Sequence, residues 1–313
     1  RRQSPGKWLP QLRGMFAFVL YNAKTQSWLI ARDHLGIVPL YLGWMAHGAL
    51  VVASELKALA RICVRTQPFP PGHFWSSSQA TPQRWYTPSW RRYPGNNPPQ
   101  LQRLRELLQE TVTMHTMGEM PWGVLLSGGL DSSIIAALAA RPGLRSFAVG
   151  LAESPDLDAA ASVASALGLT HHSLTFTVEE GLAALTDVIY HLETFDATTI
   201  RAAVPMFLLG RYLRQQGVKM VLSGEGSDEM FAGYLYFHRA PSAQALYQET
   251  VAKLEQLHLY DCLRANKAMA AHGVETRVPF LDPQVVQWAM AIHPRHKLVS
   301  TERPIEKHLL REA

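Results

Sequence analysis

The sequence predicts an α/β protein that has a parallel sheet in its C-terminal part and a β-rich segment at its start. Three observations lead to this fold class. An apolar run from Trp122 to Leu126 ends in a Ser-Gly-Gly turn and continues into an alanine-rich helical pattern. Strand and helix patterns alternate beyond that turn, which is typical of a parallel sheet covered by helices. Residues 1–85 instead carry short apolar runs separated by turn residues, a pattern typical of a β-layer.

The composition of the 313-residue chain favours a globular protein, since 47% of the residues are hydrophobic. At about 150 residues per domain, this length predicts two domains. The formal net charge is +5, but the basic residues are scattered, so we expect no nucleic-acid partner. No apolar run approaches the roughly 20 residues that span a bilayer, and we expect a cytoplasmic protein without a membrane partner. Cys63 and Cys262 lie far apart and predict free thiols.

Residues 1–85 are expected to form the β-layer. The predicted strands are 14–21, 28–31, 39–42 and 50–53. A short helix over 54–60 follows, with Ser54 as its N-cap. Residues 86–99 are dense in Pro, Gly and Asn and predict a linker. The predicted domains are therefore 1–85 and 100–313.

The second predicted domain begins with a helix. Apolar side chains recur with helical spacing between Leu101 and Met114. After the Ser-Gly-Gly turn, the predicted strands are 144–150, 169–178 and 218–222, and the predicted helices are 156–167, 179–192 and 204–216. His171 and His172 are neighbours in a predicted strand, which directs them to opposite faces and argues against a shared metal.

The Ser-Gly-Gly turn has the features of an anion site. Gly128 and Gly129 carry no Cβ, so the backbone there can form a concave nest of N–H groups beside a helix N-terminus. Hydroxyls of Ser127, Ser132 and Ser133 can donate further hydrogen bonds. The turn therefore predicts a phosphate-binding loop.

Carboxylates near the turn predict a metal as well as a nucleotide. Asp131 lies beside the nest and would repel a bare phosphate, which indicates a bridging Mg²⁺. A second glycine-bearing loop, 223–229, follows the last predicted strand and contains Glu225, Asp228 and Glu229. These three carboxylates repel one another unless a cation or donor compensates. Two such loops at the carboxyl ends of parallel strands can face one nucleotide.

A third polar segment precedes the predicted helix 204–216. Thr198 and Thr199 offer hydroxyls, and Arg201 offers a guanidinium suited to a phosphate or a substrate carboxylate. A helix cap with a surface arginine is the alternative interpretation of the same residues.

Ser127 to Ser132 spell Ser-Gly-Gly-Leu-Asp-Ser, which resembles the pyrophosphate loop of the ATP pyrophosphatases. Further segments extend the resemblance to glutamine-dependent asparagine synthetases over nearly the whole chain: 13–18, 32–41, 53–59, 70–73, 223–229, 260–267 and 274–282. The implied fold is a C-terminal ATP-pyrophosphatase (adenine nucleotide alpha hydrolase-like) parallel sheet with helices on both faces. The β-rich start is then a remnant of an N-terminal-nucleophile glutaminase domain, a type 2 glutamine amidotransferase.

The resemblance implies an ATP-dependent amidation of L-aspartate. Aspartate and ATP would form a β-aspartyl-adenylate and pyrophosphate. Nitrogen from ammonia or glutamine would then give asparagine and AMP. ATP and Mg²⁺ are the implied cofactors, and a homodimer is expected for the intact protein.

The resemblance also gives each candidate residue a role. It assigns the nucleotide to Leu125, Ser127, Gly128, Gly129, Asp131, Ser132, Val149, Ser223 and Gly224, with Leu125 and Val149 at the adenine and ribose. Asp131 and Asp228 would hold Mg²⁺. Glu225 and Arg201 are the catalytic candidates, Glu225 as promoter of adenylate formation or as base toward ammonia. Asp261, Thr198 and Thr199 would bind aspartate, with Asp261 at its α-ammonium group.

Two departures from the family pattern shape the expected activity. The cysteine nucleophile and the glutamine-binding segments precede the region that this sequence matches, so we expect no glutaminase activity. Relatives continue beyond the equivalent of Glu312 into a segment that supplies a lysine for the ATP phosphates. We therefore expect nucleotide binding with little asparagine synthesis, in which Arg201 would partly replace that lysine. A β-lactam-forming synthetase, a tRNA-modifying ATP pyrophosphatase and a non-catalytic nucleotide-binding remnant stay open as alternatives.

Overall fold

The computed structural model describes residues 4–96, 98–300 and 304–313. Its backbone divides into two units, of which the first is Arg1–Ser89 with Glu255–Leu263 and the second is Trp90–Leu254 with Arg264–Ala313. The division after Ser89 falls inside the predicted linker 86–99. The return of residues 255–263 to the first unit was not anticipated. The domain limits given above stay a prediction.

The first unit is built from antiparallel strands. They are β1 (Ala17–Asn22), β2 (Ser27–Arg32), β3 (Tyr41–Trp44), β4 (Leu50–Ala53), β5 (Arg65–Pro68), β6 (His73–Ser76) and β7 (Gln83–Arg84). One sheet has the order β1-β2-β6-β7 and the other has the order β4-β3-β5. Two short helices accompany them, α1 (Pro5–Trp8) and α2 (Leu56–Ala60). The four predicted strands are confirmed within a few residues.

Ile30 and Ala31 of β2 belong to different apolar clusters, because neighbouring residues of a strand face opposite sides. Ile30 packs with Leu42 and Phe69 in one cluster, and Ala31 packs with Phe74 in the other. The predicted cap of α2 is wrong: Glu55 is the N-cap, and its side chain makes no capping hydrogen bond.

The second unit contains a parallel five-stranded sheet. Its strands are β8 (Trp122–Leu125), β9 (Arg145–Gly150), β10 (Thr170–Thr175), β11 (Met220–Leu222) and β12 (Glu275–Arg277). The spatial order is β10-β9-β8-β11-β12, with every pair parallel. From β8, the next two strands along the chain, β9 and β10, add on one side of the sheet, whereas β11 and β12 add on the other side. The sheet therefore has its switch point between β8 and β11, where open α/β sheets bind ligands.

α-Helices lie before, between and after these strands along the chain. They are α3 (Leu101–His115), α4 (Leu130–Ala139), α5 (Pro155–Ala166), α6 (Val178–Leu192), α7 (Ala197–Gln215), α8 (Ser227–Phe231), α9 (Ala243–Gln256), α10 (Asp261–Ala270), α11 (Pro283–Ala291) and α12 (His308–Glu312). Helix α4 packs on β8, α5 packs on β9 and β10, and α7 packs on β9. The α/β fold class is confirmed.

Side-chain caps explain two of the differences from the predicted element limits. Strand β10 ends at Thr175 because Thr177 already caps α6: its hydroxyl accepts from the Glu180 backbone N–H at 3.2 Å, and the Glu180 carboxylate accepts from the Thr177 N–H at 2.8 Å. Helix α7 begins at Ala197 rather than at residue 204, because the Asp196 carboxylate accepts the Thr199 N–H at 2.7 Å.

Candidate active site

The Ser-Gly-Gly turn connects β8 to α4 at the switch point. Gly128 has φ +76°, a left-handed conformation that favours glycine. A Cβ there would lie 2.5 Å from the Ala159 Cβ, so α5 approaches too closely for any side chain. Leu125 and Val149, the residues predicted at the adenine and ribose, are half-buried and pack against one apolar cluster containing Phe147.

Hydroxyl groups fix the shape of this loop. The buried Ser132 Oγ accepts the Ser127 N–H at 3.2 Å and donates to the Gly129 carbonyl at 3.1 Å. Ser133 Oγ also donates to the Gly129 carbonyl, at 2.7 Å. The exposed Ser127 Oγ lies 3.0 Å from Ser132 Oγ and accepts the Gly129 N–H at 3.4 Å, so all three predicted phosphate donors hold the loop itself. Their roles toward a nucleotide stay a prediction.

The second loop lies against the first one. Ser223 is buried, and its backbone N–H donates to the Arg277 carbonyl at 2.9 Å. A Cβ on Gly224 would lie 3.0 Å from the Asp131 Cβ and from the Ser132 nitrogen, so the two loops touch at this glycine. The structure therefore brings together the two glycine-bearing segments that the sequence places far apart.

A lysine joins the carboxylates of the two loops. Lys307 contacts Asp131, and its Nζ lies 2.7 Å from Asp228 Oδ1. Ser227 Oγ donates to the other Asp131 oxygen at 2.8 Å. The Lys307 side chain is only 7% exposed. Sequence reasoning missed this residue, and the signal available was the charge imbalance of the acidic loops, which demands a cation without saying which one.

The charges of this cluster depend on one another. Burial raises the pKa of Asp131, and the repulsion from Asp228 adds to this effect, although Lys307 opposes it. Burial lowers the pKa of Lys307, but Asp131 and Asp228 outweigh burial and hold that pKa above its usual value. Lys307 is therefore a protonated cation at neutral pH.

The same two carboxylates suit a divalent cation. Oxygens of Asp131 and Asp228 converge on the single Lys307 ammonium group, so both can reach one small cation. Mg²⁺ is commonly held by one or two carboxylates together with substrate phosphates. Over residues 4–96, 98–300 and 304–313, no group of three or more His, Cys, Asp or Glu residues forms a metal cage. The donor set fits a metal that is shared with phosphates.

The remaining acidic residues of the second loop have other partners. Arg264 Nη2, on α10, donates to Glu225 Oε2 at 2.8 Å. Tyr234 Oη donates to Glu229 Oε1 at 2.5 Å, and Glu229 is buried. Each acidic side chain of the loop therefore meets a cation or a hydroxyl, which explains how they coexist.

The predicted aspartate-binding residues lie on two helices. Thr198 and Arg201 are exposed in the first turns of α7, and Thr199 is buried there. Asp261 is the first residue of α10 and belongs to the first unit, whereas Arg264 belongs to the second. The aspartate-binding roles of these residues stay a prediction.

The neighbouring residues His171 and His172 have separate partners. The His171 ring lies 2.9 Å from the Ser146 hydroxyl, and the His172 ring stacks on Phe147.

The parallel sheet, with its glycine-bearing loops at the switch point, defines an ATP-pyrophosphatase-type α/β domain. Residues 103–252 and 240–313 match the asparagine synthase family, and residues 3–61 match the glutamine amidotransferase domain. The chain belongs to the glutamine-hydrolysing asparagine synthetase family.

Individual relatives agree with this assignment. The chain is 52% identical to the Escherichia coli asparagine synthetase B [glutamine-hydrolyzing], with 98% of this chain and 58% of the relative covered. It is 48% identical to the Brassica oleracea asparagine synthetase, with 96% and 54% covered. It is 47% identical to the probable asparagine synthetase of Dictyostelium discoideum, with 96% and 59% covered. The chain thus spans between half and two thirds of each relative.

Within residues 4–96, 98–300 and 304–313, no helix is long and apolar enough to cross a bilayer.

Proposed function

We propose that this chain carries the synthetase site of an ATP-dependent ligase that converts L-aspartate to L-asparagine. One observation supports this proposal above the others: two loops at the switch point of a parallel sheet direct Asp131 and Asp228 at one cation. The family assignment supports the substrates. In the intact protein, the nitrogen would come from glutamine, because residues 3–61 match a glutamine amidotransferase domain. A cytoplasmic homodimer is part of the same proposal and rests on the resemblance alone.

In this proposal the Ser127–Gly129 turn and Ser223–Gly224 seat ATP. Backbone N–H groups of the turn face the phosphates, while Leu125 and Val149 line the adenine and ribose. Mg²⁺ held by Asp131 and Asp228 would neutralise part of the charge on the pyrophosphate. The half-buried positions of Leu125 and Val149, at the ends of neighbouring strands, agree with these roles.

The first chemical step is proposed to form an acyl-adenylate. A β-carboxylate oxygen of aspartate attacks the α-phosphorus of ATP, the bond from that phosphorus to the bridging oxygen breaks, and pyrophosphate leaves. Lys307 supplies a protonated ammonium group beside the metal-binding carboxylates, where it can approach the developing charge. The sequence had offered only Arg201 for this purpose.

The second step is proposed to form the amide. Ammonia attacks the β-carbonyl carbon, the bond from that carbon to the AMP oxygen breaks, and one proton leaves the nitrogen. Glu225 is the candidate acceptor of this proton, because its carboxylate lies in the second loop, next to the residues assigned to the nucleotide.

The test of this function supplies purified chain with aspartate, ATP, Mg²⁺ and ammonium chloride. Formation of AMP, pyrophosphate and asparagine in equal amounts supports the proposal. The Asp131→Asn and Asp228→Asn variants should lose product, whereas the matched control Asp187→Asn, at an exposed position of α6, should not. Nucleotide turnover that proceeds equally well without aspartate would overturn the proposal.

A further inference from the structure

Helix α10 offers two cations to glutamates that come from other parts of the second unit. Arg264 pairs with Glu225 of the second loop, and Lys267, one turn further along, pairs with Glu193 at the end of α6. The two pairs differ in access. The Lys267 side chain is fully buried, whereas Arg264 and Glu225 are each about one-fifth exposed, at 18% and 20%. The Arg264–Glu225 pair is the one that a solute can reach.

This pairing conflicts with the proposed task of Glu225. A general base must present a carboxylate lone pair to the proton that it takes. In the structure, Glu225 Oε2 accepts a hydrogen bond from the Arg264 guanidinium at 2.8 Å. While that contact persists, the oxygen is occupied, and the cation stabilises Glu225 as an anion. The paired cation makes Glu225 a weaker proton acceptor, so departure of Arg264 would favour the amide-forming step.

The proposed substrate carries a group that can take the place of Glu225. Aspartate has two carboxylates, of which only the β-carboxylate reacts, so the α-carboxylate is available as a partner for a guanidinium. Arginine matches carboxylates with a planar fork of N–H donors. A partly exposed guanidinium that already binds one carboxylate can exchange it for another and stay paired itself, and the Glu225 carboxylate that it leaves is partly exposed to solvent.

We propose that Arg264 is a switching and specificity residue, which pairs with Glu225 in the substrate-free protein and with the α-carboxylate of aspartate in the complex. Substrate binding then frees Glu225 to act as a base only when there is an aspartyl group to amidate. This inference rests on the proposed function and adds to it the binding partner of the non-reacting carboxylate.

The test measures aspartate binding by calorimetry in the presence of Mg²⁺ and the non-hydrolysable analogue α,β-methylene-ATP. Arg264→Gln should weaken aspartate binding roughly tenfold or more, because a charged hydrogen-bond donor is lost. Arg264→Lys should retain part of the affinity. The control Arg214→Gln, at an exposed arginine of α7, should bind aspartate as the wild type does.

A second variant separates exchange from a merely structural ion pair. Glu225→Gln removes the competing carboxylate, so aspartate affinity should rise severalfold although amide formation is lost. A structural pair predicts the reverse, since breaking it would disorder the loop and weaken binding. The α-amide of aspartate, which lacks the α-carboxylate, should bind weakly to the wild type and should be insensitive to Arg264→Gln.

The outcomes distinguish this inference from the proposed function. Failure of the wild type to bind the nucleotide analogue would contradict the proposed function itself. Normal nucleotide binding, combined with aspartate affinity that Arg264→Gln leaves unchanged or that Glu225→Gln reduces, would overturn the exchange alone. Equal binding of aspartate and its α-amide would also overturn it. Circular dichroism of each variant identifies loss of folding, and retained affinity for the analogue identifies an intact nucleotide site.

Discussion

Two carboxylates, Asp33 in the first unit and the half-buried Asp131 in the second, show how the partners of an acid distinguish a structural residue from one that can bind a ligand. Asp33 is fully buried and accepts backbone N–H groups from Phe16, Leu35, Ile37 and Val38 at 2.9 to 3.3 Å. The partners of Asp131 are instead side chains, the Ser227 hydroxyl and the Lys307 ammonium group.

The difference lies in whether the partners can leave. Backbone N–H groups are fixed by the fold, so Asp33 holds its loop closed and has no oxygen to spare for a ligand. A serine hydroxyl and a lysine ammonium group can rotate away, so Asp131 can exchange them for a metal ion or a ligand. The neighbouring Arg32 shares the structural character of Asp33, since its guanidinium donates to the carbonyls of Gly36, Val38 and Phe69.

The largest expected effect is on the stability of the first unit. Asp33→Asn replaces an acceptor-only group by one that also carries N–H donors, so several buried backbone N–H groups lose their partner. We expect a loss of about 3 to 5 kcal/mol in the free energy of unfolding, from a few unsatisfied buried groups. Urea titration followed by circular dichroism measures it, with Asp187→Asn as the exposed control. A loss below about 1 kcal/mol would contradict the structural role of Asp33.

A second prediction concerns the pH dependence of stability, which His258 contributes near the Arg32 cation. Burial, together with the nearby Arg32 charge, lowers the pKa of His258 to about 4. His258 is therefore neutral in the folded protein. Its contribution to the free energy of unfolding is fully present above the usual histidine pKa of about 6.5. This stabilisation is lost as the pH falls from about 6.5 to 4, because the unfolded chain binds the proton first.

Integrated between pH 7 and pH 4, the lowered pKa of His258 corresponds to a loss of about 2 to 3 kcal/mol in the free energy of unfolding. We expect His258→Gln to flatten the dependence of unfolding free energy on pH by this amount, measured by denaturant titrations at both pH values. Parallel curves for the wild type and the variant would show that His258 is not buried in its neutral form.

The sequence predicted the fold class and the two loops because both depend on local patterns. An apolar strand followed by Gly128 and Gly129 indicates a tight turn, and the acidic loop after β11 is equally local. The start of α7 was missed because a single carboxylate, Asp196, determines it. The strand order and the contacts of Lys307 and Arg264 with the loops depend on tertiary packing, on which periodicity carries no information.

The contrast between Asp33 and Asp131 also leads to a prediction for metal binding by the second unit. Asp131→Asn should weaken ATP binding in the presence of Mg²⁺ by about tenfold or more, and should affect metal-free binding less. The reason is that a carboxylate beside a phosphate nest favours nucleotide only through a cation. Calorimetric titrations with and without Mg²⁺ measure both affinities. Equal losses under the two conditions would contradict the assignment of Asp131 to the metal.

The smallest expected effect tests whether Lys307 is an exchangeable partner. If its ammonium group and a divalent cation compete for Asp131 and Asp228, then Lys307→Met should raise the affinity for Mn²⁺, measured by electron paramagnetic resonance without nucleotide. We expect an increase of severalfold, below about tenfold, because the carboxylates are partly exposed and the methionine leaves them repelling each other. Lys253→Met, at an exposed lysine of α9, should leave Mn²⁺ binding unchanged. If Lys307→Met weakens Mn²⁺ binding, the lysine holds the carboxylates in place as the backbone holds Asp33, and the contrast between the two acids fails.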